Sequence, residues 1–239
     1  GLGFSFDTRT SVRDEIVDRA PRTLFLVAGA AVLWLVVGVG VGVISAVRRR
    51  SLVDRASMGL ALVGLSTPGF WLGFMALFVF WEKLGWLPGT GYVPLSEGVG
   101  DWFAHLVLPW TVLAFSFAAV YARMSRGALL EAMGQDYIRT ARAKGLSERR
   151  VVLRHGLRSG LNPIVTMVGL DIALLVGGAV VTERVFNLQG LGDLGVSSAR
   201  TEDFPVALGV VLVGTLAVVV MSALVDVAHR MLDPRVRYE

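Results

Sequence analysis

Long apolar runs separated by short charged segments set the rhythm of this chain. Four stretches, 23–47, 56–81, 102–122 and 159–182, carry almost no charge, and a fifth starts at 204 and runs to about 228. Each is long enough to cross roughly 30 Å of hydrocarbon, which takes about 20 helical residues. Lipid offers the backbone no hydrogen-bond partners, and the alternating pattern of a membrane barrel is absent, so these runs predict helices. The expected fold class is all-α, a polytopic transmembrane bundle with five spans in one domain over 1–239. Residues 123–158 are too polar to enter lipid and predict a cytoplasmic region.

Charge orients the bundle. Arg48, Arg49, Arg50 and Arg55 follow the first span, and Arg230, Arg235 and Arg237 follow the fifth. Arg123, Arg126, Arg139, Arg142, Lys144, Arg149, Arg150, Arg154 and Arg158 crowd the loop after the third span. The two remaining loops hold only Lys83, Arg184 and Arg200. Basic residues concentrate on the cytoplasmic side of membrane proteins, so the odd-numbered loops face inward. The N-terminal segment then lies outside, although Arg9, Arg13, Arg19 and Arg22 are mixed there with Asp7, Asp14, Glu15 and Asp18. Exporting it needs a signal, and the chain opens at Gly1, which predicts at least one further helix upstream, with a short translocated N-terminus as the alternative.

This topology absorbs the net charge of +4 and the pI near 9.9, and leaves nothing for a nucleic-acid reading to explain. With no cysteine, neither a disulfide framework nor a thiolate metal site is available. His105, His155 and His229 show no ligand spacing, so no metal site is expected. No Walker A sequence occurs, and any ATP must be held by a partner. Gly190 to Gly195, "GLGDLG", satisfies G-x-G-x-x-G but lacks the strand and βαβ unit that give the pattern meaning; an extracytoplasmic turn or re-entrant segment is expected.

The central loop is the informative part. Asp136 can cap the amides of Tyr137 to Arg139, Lys144 suits the C-terminal end of a helix, and Gly145 can take a left-handed conformation. Ser147 and Glu148 restart a helix immediately. The pattern predicts a two-turn helix and a glycine elbow. Thr140, Ala141, Ala143 and Gly145 are small, Arg139, Arg142 and Lys144 are donors, and Tyr137, Ile138 and Leu146 are apolar anchors. Two readings fit these residues: a docking knob for a cytosolic partner, and an amphipathic helix on anionic headgroups.

Three further positions stand out. Asp171 lies within the fourth span, where a carboxylate costs about 2.5–3.5 kcal/mol. It is a candidate for attracting a peptide amino group or other cation along a pathway, or else for a hydrogen bond to a neighbouring helix or a protonated carboxyl. Pro68 interrupts the second span, with Ser66 and Thr67 placed to satisfy freed carbonyls, and predicts a kink that could be a hinge. Gly38 and Gly42 have the G-x-x-x-G spacing of close helix contact. Glu183 is expected in interfacial structure.

The run "GQDYIRTARAKGLSERRVVLRHGLRSGLNPIVT", residues 134–166, resembles the cytoplasmic signature of ABC-transporter permease subunits of the dipeptide/oligopeptide/nickel class, most like their B-type dipeptide permeases. "LVGLSTPGFWLG" (62–73), "GGAVVTERVFNLQGLG" (177–192) and "LDPRVRY" (232–238) extend the likeness along the chain, with Gln189 standing where Pro is usual. The resemblance implies a type I importer permease fold, usually of six spans. It implies that residues 136–146 (Asp136, Tyr137, Ile138, Arg139, Thr140, Ala141, Arg142, Ala143, Lys144, Gly145, Leu146) are the coupling helix seated in a groove of an ATP-binding subunit. It further implies a second permease subunit, one or two ATPases binding ATP and Mg, an extracytoplasmic solute-binding protein, and a multi-pass place in the bacterial inner membrane. The expected cargo is a dipeptide or oligopeptide, with nickel, glutathione or another small solute as the alternative. An intramembrane enzyme would need a paired nucleophile and base, which the spans lack, and an ion channel or scaffold would not need the small-residue helix.

Overall fold

The computed structural model describes residues 2–160 and 162–232. Among these residues the chain is helical apart from turns and one isolated bridge between Phe4 and Ser11. The helices are α1 (Val12–Val47), α2 (Leu52–Ser66), α3 (Gly69–Lys83), α4 (Val99–Met133), α5 (Asp136–Ala143), α6 (148–160), α7 (Asn162–Val176), α8 (Val180–Val185), α9 (Leu191–Arg200) and α10 (Phe204–Leu232). By length and composition α1, α4 and α10 suffice to cross a membrane. The C-terminal motif beyond 232 lies outside the described residues.

Two elements depart from the sequence expectation. The second apolar run is α2 and α3, bent by 98° at Thr67 and Pro68. Pro68 lacks an amide proton and adopts φ −63°, ψ 131°, an extended conformation that ends one helix and starts the next. Ser66 donates its hydroxyl to the Leu62 carbonyl at 3.0 Å, covering an acceptor at the break. The fourth run stops at Val176, because Gly178 takes φ +140° before α8 begins.

The chain forms two compact units. One comprises 1–31, 67–114 and 170–221. Its apolar core joins Val12 and Ile16 of α1 to Leu191 and Leu194 of α9 and Val206 and Val210 of α10. Trp110 lies so close to Gly29 that a Cβ there would sit 2.1 Å from the indole, and its Nε1 donates to the Phe25 carbonyl at 2.8 Å. The other unit comprises, among the described residues, 32–66, 115–169 and 222–232. Here the Gly38/Gly42 pair does what its spacing suggests: a Cβ on Gly42 would meet the Ala122 carbonyl at 2.6 Å, and one on Gly38 the Tyr121 Cβ at 2.8 Å. Beside this contact the fully buried Trp34 stacks on Phe117 with centroids 4.7 Å apart.

Candidate functional site

The loop after α4 folds into the predicted short helix, but it starts differently. Gln135, extended at φ −77° and ψ 153°, occupies the cap position and makes no side-chain cap bond. Its carbonyl accepts from Ile138 and Arg139. Asp136 is already helical, so its carboxylate cannot turn back onto the following amides; it sits in the first turn, where negative charge suits the dipole, 3.4 Å from Arg139.

The end of α5 is a Schellman motif. Leu146 donates its amide to the Ala141 carbonyl at 3.4 Å and Gly145 to the Arg142 carbonyl at 2.9 Å. Gly145 has φ +74°, the left-handed conformation anticipated for it. Ser147 then takes the extended cap position before Glu148, as expected, without a side-chain bond. Across the elbow Arg142 grips Glu148 with Nε at 3.0 Å and Nη2 at 2.7 Å. The bonds from this guanidinium hold the Glu148 carboxyl below its usual range.

Burial divides the eleven candidate residues into two sets. Ile138 and Ala141, three positions apart on one face, are buried with Val151, and Met133 and Leu146 pack around them. This face holds α5 on the body of the unit, so Ile138 and Leu146 are not the outward anchors their composition suggested. Asp136, Tyr137, Arg139, Thr140, Arg142, Ala143, Lys144 and Gly145 are exposed. Of the exposed cations, Arg142 is engaged by Glu148 and Arg139 by Asp136.

A family model for the binding-protein-dependent transport system inner membrane component matches residues 38–238. The chain belongs to that family. It is 42% identical over 238 residues to a Brucella abortus protein named as a peptide transport system permease, spanning all of this chain and 76% of that protein. It is 41% identical over 238 residues to the glutathione transport system permease protein of Escherichia coli K12, with 100% and 75% coverage. Among solved structures, the inward-facing MetNI methionine ABC transporter superposes with a TM-score of 0.70 at 21% identity, over 92% of this chain and 96% of that one. An amino acid ABC transporter with histidines gives 0.64 at 14%, over 92% and 94%. The protein is a permease subunit of an ABC importer, a multi-pass transport component that works with ATPase subunits at the membrane.

Elsewhere in the permease, Asp171 is half-buried in α7. Glu183 is fully buried and accepts the Thr23 hydroxyl at 2.7 Å and the Asp193 amide at 2.8 Å, while Thr23 in turn accepts the Leu191 amide at 2.8 Å. The "GLGDLG" glycines belong to this arrangement. A Cβ on Gly190 would lie 2.4 Å from the Thr23 Oγ1, and one on Gly192 would lie 3.0 Å from the Glu183 Oε2. The start of α9 thus resembles a phosphate-binding helix terminus, but the permease's own carboxylate fills it. Gln189 has φ +53°, a conformation that the Pro expected there cannot adopt.

A cluster that sequence reasoning missed joins the last turn of α1, the first turn of α2 and α4. Asp54 is 4% exposed in the first turn of α2. It accepts Arg126 Nε at 2.6 Å and Nη2 at 2.9 Å, the Arg50 amide at 2.9 Å, and the Ser45 hydroxyl. The only advance signal was a carboxylate in the first turn after an arginine-rich loop, and its partner lies 72 positions away.

Proposed function

We propose that this permease forms half of a translocation pathway for dipeptides or oligopeptides in the bacterial inner membrane, and that residues 136–146 couple it to a cytosolic ATPase. The observation that carries the coupling reading is a short helix fixed from below by Ile138 and Ala141, with Tyr137, Thr140, Ala143 and Lys144 turned outward on a rigid elbow. Small outward residues let another backbone approach, and the buried side transmits the push to α4 and α6. A lipid-lying helix calls for an apolar exposed face, whereas the apolar face of α5 is already used inside the unit.

In this reading a second, non-identical permease subunit completes the pathway. One or two ATP-binding subunits hold ATP and Mg, and the chain itself performs no hydrolysis. An extracytoplasmic solute-binding protein delivers the cargo. ATP binding draws the coupling segments together and opens the pathway outward; hydrolysis resets it. Asp171 attracts the peptide amino group, and the 98° break at Pro68 serves as the hinge. Identity of 42% to a peptide permease supports the cargo class. The 41% identity to a glutathione permease favours a second reading, in which the cargo is that tripeptide.

Because the chain has no cysteine, a single introduced one reports a single place. Thr140→Cys and Ala143→Cys are expected to cross-link to the ATPase in the assembled transporter through a short bifunctional reagent, while the buried Ile138→Cys is not. Failure at both outward positions, with the complex intact, would overturn the coupling assignment. Uptake of labelled dipeptides against labelled glutathione by proteoliposomes separates the two cargoes.

A further inference from the structure

The Asp54 cluster ties together three helices near the coupling segment. Ser45 belongs to the last turn of α1, Asp54 to the first turn of α2, and Arg126 to α4, which continues without a break to Met133. Arg50 has φ +65°, and its amide points onto the same carboxylate. Around this pair the packing is close: a Cβ on Gly42 would lie 2.7 Å from the Ser125 Cβ and 3.0 Å from the Arg126 nitrogen.

Met133 is packed against two apolar clusters. One is Ile138, Ala141 and Val151 beneath α5; the other is Ala46, Leu129 and Val152, which links α1, α4 and α6. A continuous line of packed residues therefore runs from the underside of α5 through Met133 and α4 to Arg126, and across the ion pair to α1 and α2.

Apolar contacts alone would leave that line free to slip. Hydrophobic burial is non-directional, so apolar contacts specify the relative position of helices less sharply than a directional bond does. A planar guanidinium gripping a carboxylate with two bonds fixes both distance and orientation. Stability alone does not call for such a pair, because a buried ion pair is often no more stabilising than apolar residues of the same volume. What it supplies is register.

We propose that Asp54 and Arg126 are positioning residues that lock α1 and α2 to α4, so that a displacement of the coupling segment moves the three helices together. This rests on the coupling role proposed for residues 136–146. Without the lock, the ATPase still docks and turns over, but its stroke is dissipated in slippage between helices.

The test replaces the pair by apolar residues of similar volume, Asp54→Leu with Arg126→Met, adding Ser45→Ala so that no hydroxyl loses its acceptor, beside Arg126→Lys, which leaves Asp54 in place to accept the Arg50 amide. The transporter is reconstituted with its ATPase and solute-binding subunits, and ATP turnover, substrate uptake and the Thr140→Cys cross-link are measured in parallel. The expected result is an assembled complex that cross-links and hydrolyses ATP but moves at least about fivefold less substrate per ATP, the lower end of coupling between linked sites. Uptake per ATP equal to that of the parent would overturn the proposal. Arg126→Lys keeps the charge but loses the two-pronged grip, and is read in the same way should the apolar variant fail to assemble: a lowered ratio supports the lock and an unchanged one refutes it. A missing Thr140→Cys cross-link in the parent background would instead refute the coupling assignment.

Discussion

Gly145 can be perturbed without touching anything but the backbone. Nothing lies within 4 Å of where its Cβ would be, so a side chain there meets no steric obstacle. The cost comes from φ +74°, where an L-residue loses about 1–2 kcal/mol. Asn tolerates this region, Ala bears the full penalty, and a β-branched residue fares worst. Relieving the strain by unwinding the elbow would sacrifice the bonds from Leu146 and Gly145, each worth about 0.5–1.5 kcal/mol. An eight-residue helix has no stability of its own to absorb that loss. A penalty of one to two kcal/mol lowers the intact population relative to the unwound one by about 5–30-fold. Substrate moved per ATP in proteoliposomes should therefore fall in the order Gly145→Asn, Gly145→Ala, Gly145→Val, with membrane insertion and complex assembly preserved in all three. Parent-like coupling in the valine variant would show that the elbow geometry is irrelevant. Equal loss in all three would show that the added side chain, not the backbone sign, is responsible.

Thr23→Val keeps the shape of the side chain but leaves the Glu183 carboxylate and the Leu191 amide each short of a partner. At about 1–3 kcal/mol for each stranded group, the thermal midpoint in detergent should drop by several degrees, whereas Thr23→Ser should retain it. The Arg142–Glu148 pair responds to acid. Glu148 is held below its usual range by Arg142, so its contribution is complete at neutral pH, above the unfolded pKa, and is lost as pH falls through the depressed value. Corrected for the intrinsic exchange rate, the protection of residues 142–150 should fall on acidification in the parent more than in Glu148→Gln, which should already be less protected at neutral pH. Identical profiles would contradict this.

What the sequence made legible were features with a local cause. Gly145 and Ser147 announce themselves because the sign of φ and the cap position depend on neighbours alone, and Gly38/Gly42 because helical spacing puts both on one face. Asp136 misled for a related reason: several residues near a helix start can cap it, and the turn through Gly134 and Gln135 decides which one is still extended. The side of α5 that is buried was invisible, since Ile138 could equally have pointed at a partner; Met133 and Val151 settle it from other helices. Asp54 with Arg126 and Thr23 with Glu183 join positions 72 and 160 apart, beyond the reach of any periodicity or motif. The size of the break at Pro68 was likewise hidden, because proline predicts a lost hydrogen bond but not whether the two halves remain nearly coaxial.

The carboxyl of Glu183, accepting the Asp193 amide in the first turn of α9, gives this turn a built-in acceptor. A helix start of this shape would otherwise invite chloride, phosphate or the C-terminal carboxylate of a passing peptide. With the Leu191 amide taken by Thr23 and the Asp193 amide by Glu183, these donors are already spent on tethered groups of the chain itself.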